Sequence, residues 1–257
     1  MSTNSRGRAW VDVDAAALLR NAATIQASIG PGARLVPMVK ADAYGLGVSE
    51  AVNALETVDP WGYGVATVDE GVELRALGVE RPVVVVSPLP PGGEVRAVKA
   101  GLQIGVSSAQ ALDAVARAAH ETGRTGTVHV EIDTGIGRAG FDWRSASEWG
   151  AALCEAMRGG GAWAGSYTHL HSADEGATTV REQWDRFRQA LAELDLPEVG
   201  FVHVLNSAGT LRLPELASAA VRTGIFLYGG RAGTGLVEPA EVASVRARRA
   251  HAARAAR

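Results

Sequence analysis

Residues 36–47, VPMVKADAYGLG, end an apolar run on a lysine and follow it with a small polar loop and a tyrosine before a helix can begin. The placing is informative because only two of the 25 basic residues are lysines. The other, Lys99, lies in the helix-like EVRAVKAG, where an exposed charge is ordinary. The run reads as a β-strand, and the same punctuation recurs along the chain. RLVPMVKA, YGVAT, PVVVVSP, LQIGVSS, TVHVEID, GSYTHLH, FVHVLNS and AVRTGIFL are short β-branched runs. Between them lie stretches of helical period, among them SEAVNALETV, VDEGVELRALG, SAQALDAVARAAHETG, ASEWGAALCEAM and TVREQWDRFRQALAELD, several opened by Ser, Thr or Asp. Eight strand–helix units in 257 residues predict an α/β fold of the (β/α)8 TIM-barrel type. A doubly wound open sheet uses the same units and is the alternative. Ahead of the first unit, AWVDVDAAALLRNAATIQASIG predicts an N-terminal extension of one strand and one amphipathic helix. The barrel is expected over residues 1–232. Residues 233–257, whose last dozen hold five arginines and no acid, read as a basic tail or the start of a second β-domain.

Composition narrows the function. With 47% hydrophobic and 21% charged residues the chain can bury one sizeable core, and a net charge of -3 offers no footprint for nucleic acid. Small molecules are the expected ligands. The N-terminus lacks the pattern of a secretory signal and no apolar run is long enough to span a bilayer, so no membrane partner and a cytoplasmic location are expected. Cys154 alone gives neither an internal disulfide nor a cysteine metal site, and its helical context predicts burial.

In a barrel, reactive groups gather where strands end. Lys40 closes the first strand, Arg138 follows the fifth, His169 and His171 end the sixth, Asn206 and Ser207 end the seventh, and Arg222 lies in the eighth. Each has an ordinary reading. A lysine at a strand end is commonly a solvated cap and a histidine there commonly a scaffold. HLH places two rings on one strand face and admits a metal pair, with Asp174 the candidate third ligand, although the set is incomplete. Arg222 is harder to set aside, since a guanidinium in an apolar strand keeps its charge and must find acceptors. RTG and YGG around residues 222–230 permit close backbone approach, and barrels commonly bind phosphate near the last two strands. With Ser207 and Tyr44 as hydroxyl donors, the ligand sought carries a phosphate, a group that lysine attacks and an atom that arginine contacts. Pyridoxal 5'-phosphate meets all three demands, because lysine forms a Schiff base with its aldehyde.

VPMVKADAYGLG, EIDTGIGRAGF, YTHLHSADE, LNSAG and VRTGIFLYGG, in this order and spacing, resemble the barrel domain of the alanine racemases, fold-type III pyridoxal phosphate enzymes, from about residue 10 to residue 230. The resemblance implies that Lys40 holds the cofactor and serves as base on one face of the substrate. It implies that Tyr44, Ser207, Gly224 and Ile225 hold the phosphate with Asn206 beside them. Arg222 would face the pyridine nitrogen, His169 would pack near the ring, and Arg138 would lie near the cofactor's phenolic oxygen and the substrate carboxylate. The implied reaction interconverts L-alanine and D-alanine, supplying D-alanine for cell-wall peptidoglycan, in a homodimer.

Two departures accompany it. Glu131 stands where many relatives have a lysine, often carbamylated, that presents a negative charge to the arginine; a glutamate would supply that charge directly, within hydrogen-bonding reach of Arg138. The second departure is the all-β domain that carries the opposite-face tyrosine base in complete racemases, of which this sequence shows only the opening strand. Impaired racemisation is the expectation, and the alternative is a single-domain pyridoxal phosphate-binding homeostasis protein without racemase activity.

Overall fold

The structure is a computed structural model that describes residues 8–194 and 200–248. Residues 249–257 of the expected tail lie outside them. Eleven strands and nine helices follow one another among the described residues. The extension is β1 (Ala9–Val13) and α1 (Ala15–Ile29). The first barrel strand is β2 (Arg34–Pro37), followed by a single helical turn α2 (Lys40–Gly45) and by α3 (Val48–Leu55). Then come β3 (Tyr63–Val65), α4 (Val68–Ala76), β4 (Val83–Val85), α5 (Gly93–Lys99), β5 (Gln103–Val106) and α6 (Ala109–Thr122). The long β6 (Gly126–Asp133) has the two-residue β7 (Phe141–Asp142) at its end, and α7 (Ala146–Arg158) leads to β8 (Gly161–Tyr167). The round closes with α8 (Ala177–Glu193), β9 (Phe201–Val202), α9 (Ser207–Arg212) and β10 (Ala220–Thr223), after which β11 (Ala243–Ala247) returns to β1.

All eight predicted barrel strands are present and parallel. The largest sheet runs β3-β4-β5-β6-β8-β9, and β10 pairs with β2. Two narrower seams curl these pieces into a barrel. At one, Met38 bridges Gly64, Val39 N–H donates to Gly64 O (2.8 Å) and Trp61 N–H to Leu35 O (2.9 Å). At the other, Arg222 N–H donates to Leu205 O (2.9 Å). The predicted extension is also present, and β1 and β11 form an antiparallel pair of their own. Asn21 fastens α1 beneath the last segment, donating to Leu227 O and Ala240 O and accepting from Ala240 N–H.

Strand alternation divides the buried residues between two spaces. Leu35, Val65, Val83, Val85, Ile104, Val106, Val128, Val130 and Val221 pack outward against Leu18, Leu55, Leu74, Leu112 and Phe187 of the helices, an apolar annulus. The intervening positions point into the barrel. Registers align Arg222 with Val36, Gly64 with Val84, Gly105 with His129, His129 with Gly165, and Glu131 with Tyr167. Barrel interiors are usually filled by branched apolar side chains. Here His129, Glu131, His203 and Arg222 are buried inside, each at most 5% exposed. Glycine provides the room: a Cβ at Gly165 would collide with the His129 ring, and one at Gly105 would stand 2.5 Å from Tyr167 Oη.

Candidate active site

Lys40 opens the irregular turn after β2. Ala41, Asp42, Ala43 and Tyr44 all take left-handed backbone angles, with φ between 52° and 58°. For L-residues this costs about 1–2 kcal/mol each, so the turn must be held from outside. Glu70, which forms the capping box of α4 with Thr67, also accepts Ala41 N–H at 2.7 Å. Asp42 accepts Val48 N–H at 2.7 Å. Tyr44 stacks on Tyr228 at 4.7 Å, and Tyr228 Oη donates to Met38 O at 3.0 Å. These ties direct Lys40 and Tyr44 toward the barrel mouth.

A cavity of about 580 Å³ opens at that mouth. Lys40, Tyr44, Arg138, His169, Asn206, Ser207, Arg222, Gly224 and Ile225 all line it, so these nine residues are brought to one place, while His171, named with them from the sequence, is not among its lining. Asp174, Glu131, Tyr167 and Arg231 line it too. On one side, Asn206 caps α9 by accepting Gly209 N–H at 2.9 Å, and Gly224 N–H donates to Ser207 Oγ at 3.0 Å. Gly224 must be glycine, since a Cβ there would collide with the Tyr44 hydroxyl.

The predicted sixth strand is shorter than its sequence suggests. β8 ends at Tyr167, so His169 and His171 leave it in a loop, and the alternation that would set both rings on one face stops. His169 faces the cavity, whereas the exposed His171 bonds Ser172 Oγ through Nδ1 at 2.7 Å. The buried Gln183 of α8 pins the loop, donating to His169 O and Thr134 Oγ1 and accepting His171 N–H. Burial, helped by the positive charges of Arg222, Arg138 and Lys40, holds the His169 pKa down at about 3. His169 is therefore a neutral ring.

Arg222 is held from below. Its Nη1 donates to His203 O and to His203 Nδ1 (2.8 Å), and its Nη2 to Thr168 O (2.8 Å). The guanidinium lies 4.9 Å from the Tyr167 ring centroid. Because arginine only donates, His203 Nδ1 accepts, and its proton sits on Nε2. That proton meets His129 Nδ1 at 2.7 Å, and His129 Nε2–H in turn reaches Gln103 Oε1 at 2.6 Å. One direction of donation thus runs from the cavity through the barrel. Burial, with Arg222 adding to it, drives His129 down to about 3 and His203 well below its ordinary value. Arg222 itself falls to about 10 through burial. Sequence reading passed over this relay. Its signal was the twice-used VHV of TVHVEID and FVHVLNS, in which a histidine alternates with residues of the annulus.

Glu131 points into the cavity rather than toward the helices. Its carboxyl, however, is 3.3 Å from Tyr167 Oη and makes no ion pair with Arg138 among the described residues. Arg138 sits on the exposed loop beyond Gly137, past the end of β6, and acts on Glu131 only through its charge.

The match to a family model, "Alanine racemase, N-terminal domain", covers residues 13–232. Among curated relatives, the alanine racemase of Mycobacterium avium (strain 104) is 38% identical over 206 residues, 77% of this chain and 52% of the relative. That of Symbiobacterium thermophilum is 34% identical over 238 residues, 91% of this chain and 62% of the relative. Among solved structures, the Clostridium difficile 630 alanine racemase superposes with a TM-score of 0.89 at 25% identity, over 95% of this chain and 65% of that one. The enzyme from the D-cycloserine producing Streptomyces lavendulae gives 0.87 at 32%, over 95% and 66%. The chain spans about half to two thirds of the length of these relatives.

Proposed function

Since the chain belongs to the alanine racemase N-terminal domain family, we propose that it is a pyridoxal 5'-phosphate-dependent, alanine racemase-like isomerase of small amino acids. The observation that carries this reading is the convergence of Lys40, the phosphate-type donors and a buried arginine on one cavity. The donor set fits the cofactor. Tyr44 Oη, Ser207 Oγ and the backbone at Gly224 and Ile225 cluster where glycine alone fits. Arg222 commits three of its five N–H groups to His203 and Thr168, leaving two for a ligand. Four cationic side chains, Lys40, Arg138, Arg222 and Arg231, line the cavity against Glu131 and Asp174, which suits a ligand with phosphate and carboxylate.

Bound there, pyridoxal phosphate would supply the electron sink that makes the α-proton of an amino acid acidic. The chain's own residues do the rest. Lys40 Nζ would hold the cofactor covalently and, once the substrate's amino group had displaced it and left it a free amine, would take or return a proton on one face of the α-carbon. Arg222 keeps its charge, since even a value near 10 leaves it protonated at neutral pH, and would offer its remaining N–H groups to the ring nitrogen. His169, neutral, would pack beside the ring, and Arg138 would orient the carboxylate. We take residues 1–232 as the cofactor-binding unit, residues 233–257 as the start of a second β-domain, the assembly as a homodimer, the setting as cytoplasmic, and the product as D-alanine for peptidoglycan. Among the described residues, no helix is long and apolar enough to cross a membrane.

Purified protein mixed with pyridoxal phosphate should absorb in the visible, and borohydride should fix the label on Lys40. No band, or a label on Lys99, overturns the cofactor reading. Exchange of the alanine α-proton in heavy water then separates the two functions. Exchange with inversion supports the racemase, and cofactor binding without it favours the homeostasis protein.

A further inference from the structure

Glu131 and Tyr167 are register partners on β6 and β8, each 2% exposed, at the floor of the cavity. The phenol has two oxygen neighbours: Val86 O at 3.1 Å and Glu131 Oε2 at 3.3 Å. It has one proton to give. The Val86 carbonyl has none. If the phenol donates along the shorter contact, the pair of oxygens at 3.3 Å would set lone pair against lone pair unless the carboxyl brings a hydrogen of its own.

The surroundings agree. No second hydrogen bond reaches the Glu131 carboxyl among the described residues, and an ionised carboxylate so deeply buried requires several. The titratable and charged groups around it are His129 and Asp133 on its own strand, Arg138 beyond it, Tyr167 at the end of β8, His169 in the loop that follows, His203 after β9, Arg222 on β10 and Lys40 after β2. Burial, the largest influence, and Asp133 raise the pKa from its ordinary 4.5, outweighing Arg222, Arg138 and the Tyr167 hydroxyl, which favour the ion. Arg222 has turned its Nη1 toward His203 and one Nη2–H toward Thr168, and Arg138 is not within ion-pair distance.

We propose that at neutral pH Glu131 is an un-ionised acid that donates its proton to Tyr167 Oη, so that the cavity floor presents a hydrogen-bond donor chain and no standing negative charge. This reverses the reading of Glu131 as a ready-made anion for Arg138. The consequence is selectivity by charge. With Glu131 neutral, Lys40, Arg138, Arg222 and Arg231 act on an entering anion against one carboxylate of the lining, Asp174, rather than two. When Glu131 ionises, the same cavity holds anions less well. The proposal does not depend on which phosphate-bearing ligand binds.

Infrared difference spectra of wild type against Glu131→Gln at neutral pH test it directly. The expected result is loss of a carbonyl stretch of the protonated acid type. Loss of carboxylate bands instead overturns the proposal. Tyr167→Phe keeps the test sharp should the glutamine variant fold poorly. Removing the acceptor should shift the acid's stretch upward, and an unmoved band counts against the donation. With inorganic phosphate as probe, wild-type affinity should fall about tenfold as pH rises through the Glu131 transition, the scale of one added charge in a partly screened site. Glu131→Gln should lack that step, and a step of equal size in the variant assigns it elsewhere and overturns the charge-selectivity claim.

Discussion

Along β6, Val128 and Val130 leave the strand toward the helices, while His129 and Glu131, one residue away, turn into the barrel. Val83 and Val85 do the same beside the inward Val84 on β4. The outer residues stabilise through area removed from water, at about 25 cal/mol per Å², with no demand on direction. The inner ones must each find a named partner, because a buried polar group left alone costs about 1–3 kcal/mol. The annulus therefore supplies stability and the lumen supplies geometry. Exchanging one for the other would give a firmer barrel with nothing to hold Arg222.

Acid should separate the two regions most strongly. His129, His169 and His203 are kept neutral by burial, so the unfolded chain binds more protons than the folded one from pH 6.5 downward to about 3. The stability from neutral burial is present above 6.5 and lost as pH falls through that window, at about 1.4 kcal/mol per pH unit for each histidine. Denaturant titrations between pH 8 and pH 4, compared with a His129→Gln variant, should show the shallower slope in the variant. Identical slopes would break the contrast.

Substitutions sharpen it further. Leu55→Ala, at a fully buried annulus position, should cost about 2–5 kcal/mol and leave pyridoxal phosphate affinity unchanged in the protein that remains folded. Gly165→Ala inserts a methyl against His129 and, at 2.6 Å, against Phe201 O. It should cost about 1–3 kcal/mol through overpacking but also weaken the cofactor complex by displacing the relay beneath Arg222. Melting and binding measured together decide whether the losses part in this way. The smallest effect is a gain. Ala41→Gly, at an exposed residue with φ 52°, should stabilise by about 1 kcal/mol, since glycine adopts that angle freely.

What could be read from the chain follows the same division. The eight strands were legible because each is a short β-branched run that gives way to a loop, and Lys40, Asn206 and Ser207 lie where such runs stop, with Arg222 inside the eighth. The relay was not, because VHV identifies a strand without saying what the histidine meets on the far side of a barrel. The left-handed turn was hidden by its composition: Ala41, Asp42, Ala43 and Tyr44 include no glycine, and the restraints come from Glu70 and Tyr228, distant in sequence. Glu131 was read correctly as inward and incorrectly as bonded to Arg138, since alternation fixes a face but not a partner.

Closure of the barrel by two seams leaves its backbone ladder uneven around the wall. β2 and β10 are laddered over four residue pairs, whereas β10 meets the β9 side through one backbone bond, Arg222 N–H to Leu205 O. Lys40, just past β2, and Arg222 thus belong to one strand pair, while Glu131 and Tyr167 belong to another sheet of seven strands, β7 among them. Backbone ladders run within each set; between them, besides the seam bonds, the connection passes through side chains, Arg222 to His203 and Thr168 and Ser207 Oγ to Gly224 N–H. A ligand tied at once to Lys40 and to the far wall acts as a cross-brace, and slower hydrogen exchange at the Arg222 and Val39 amides, whose bonds to Leu205 O and Gly64 O belong to the two seams, would register its arrival.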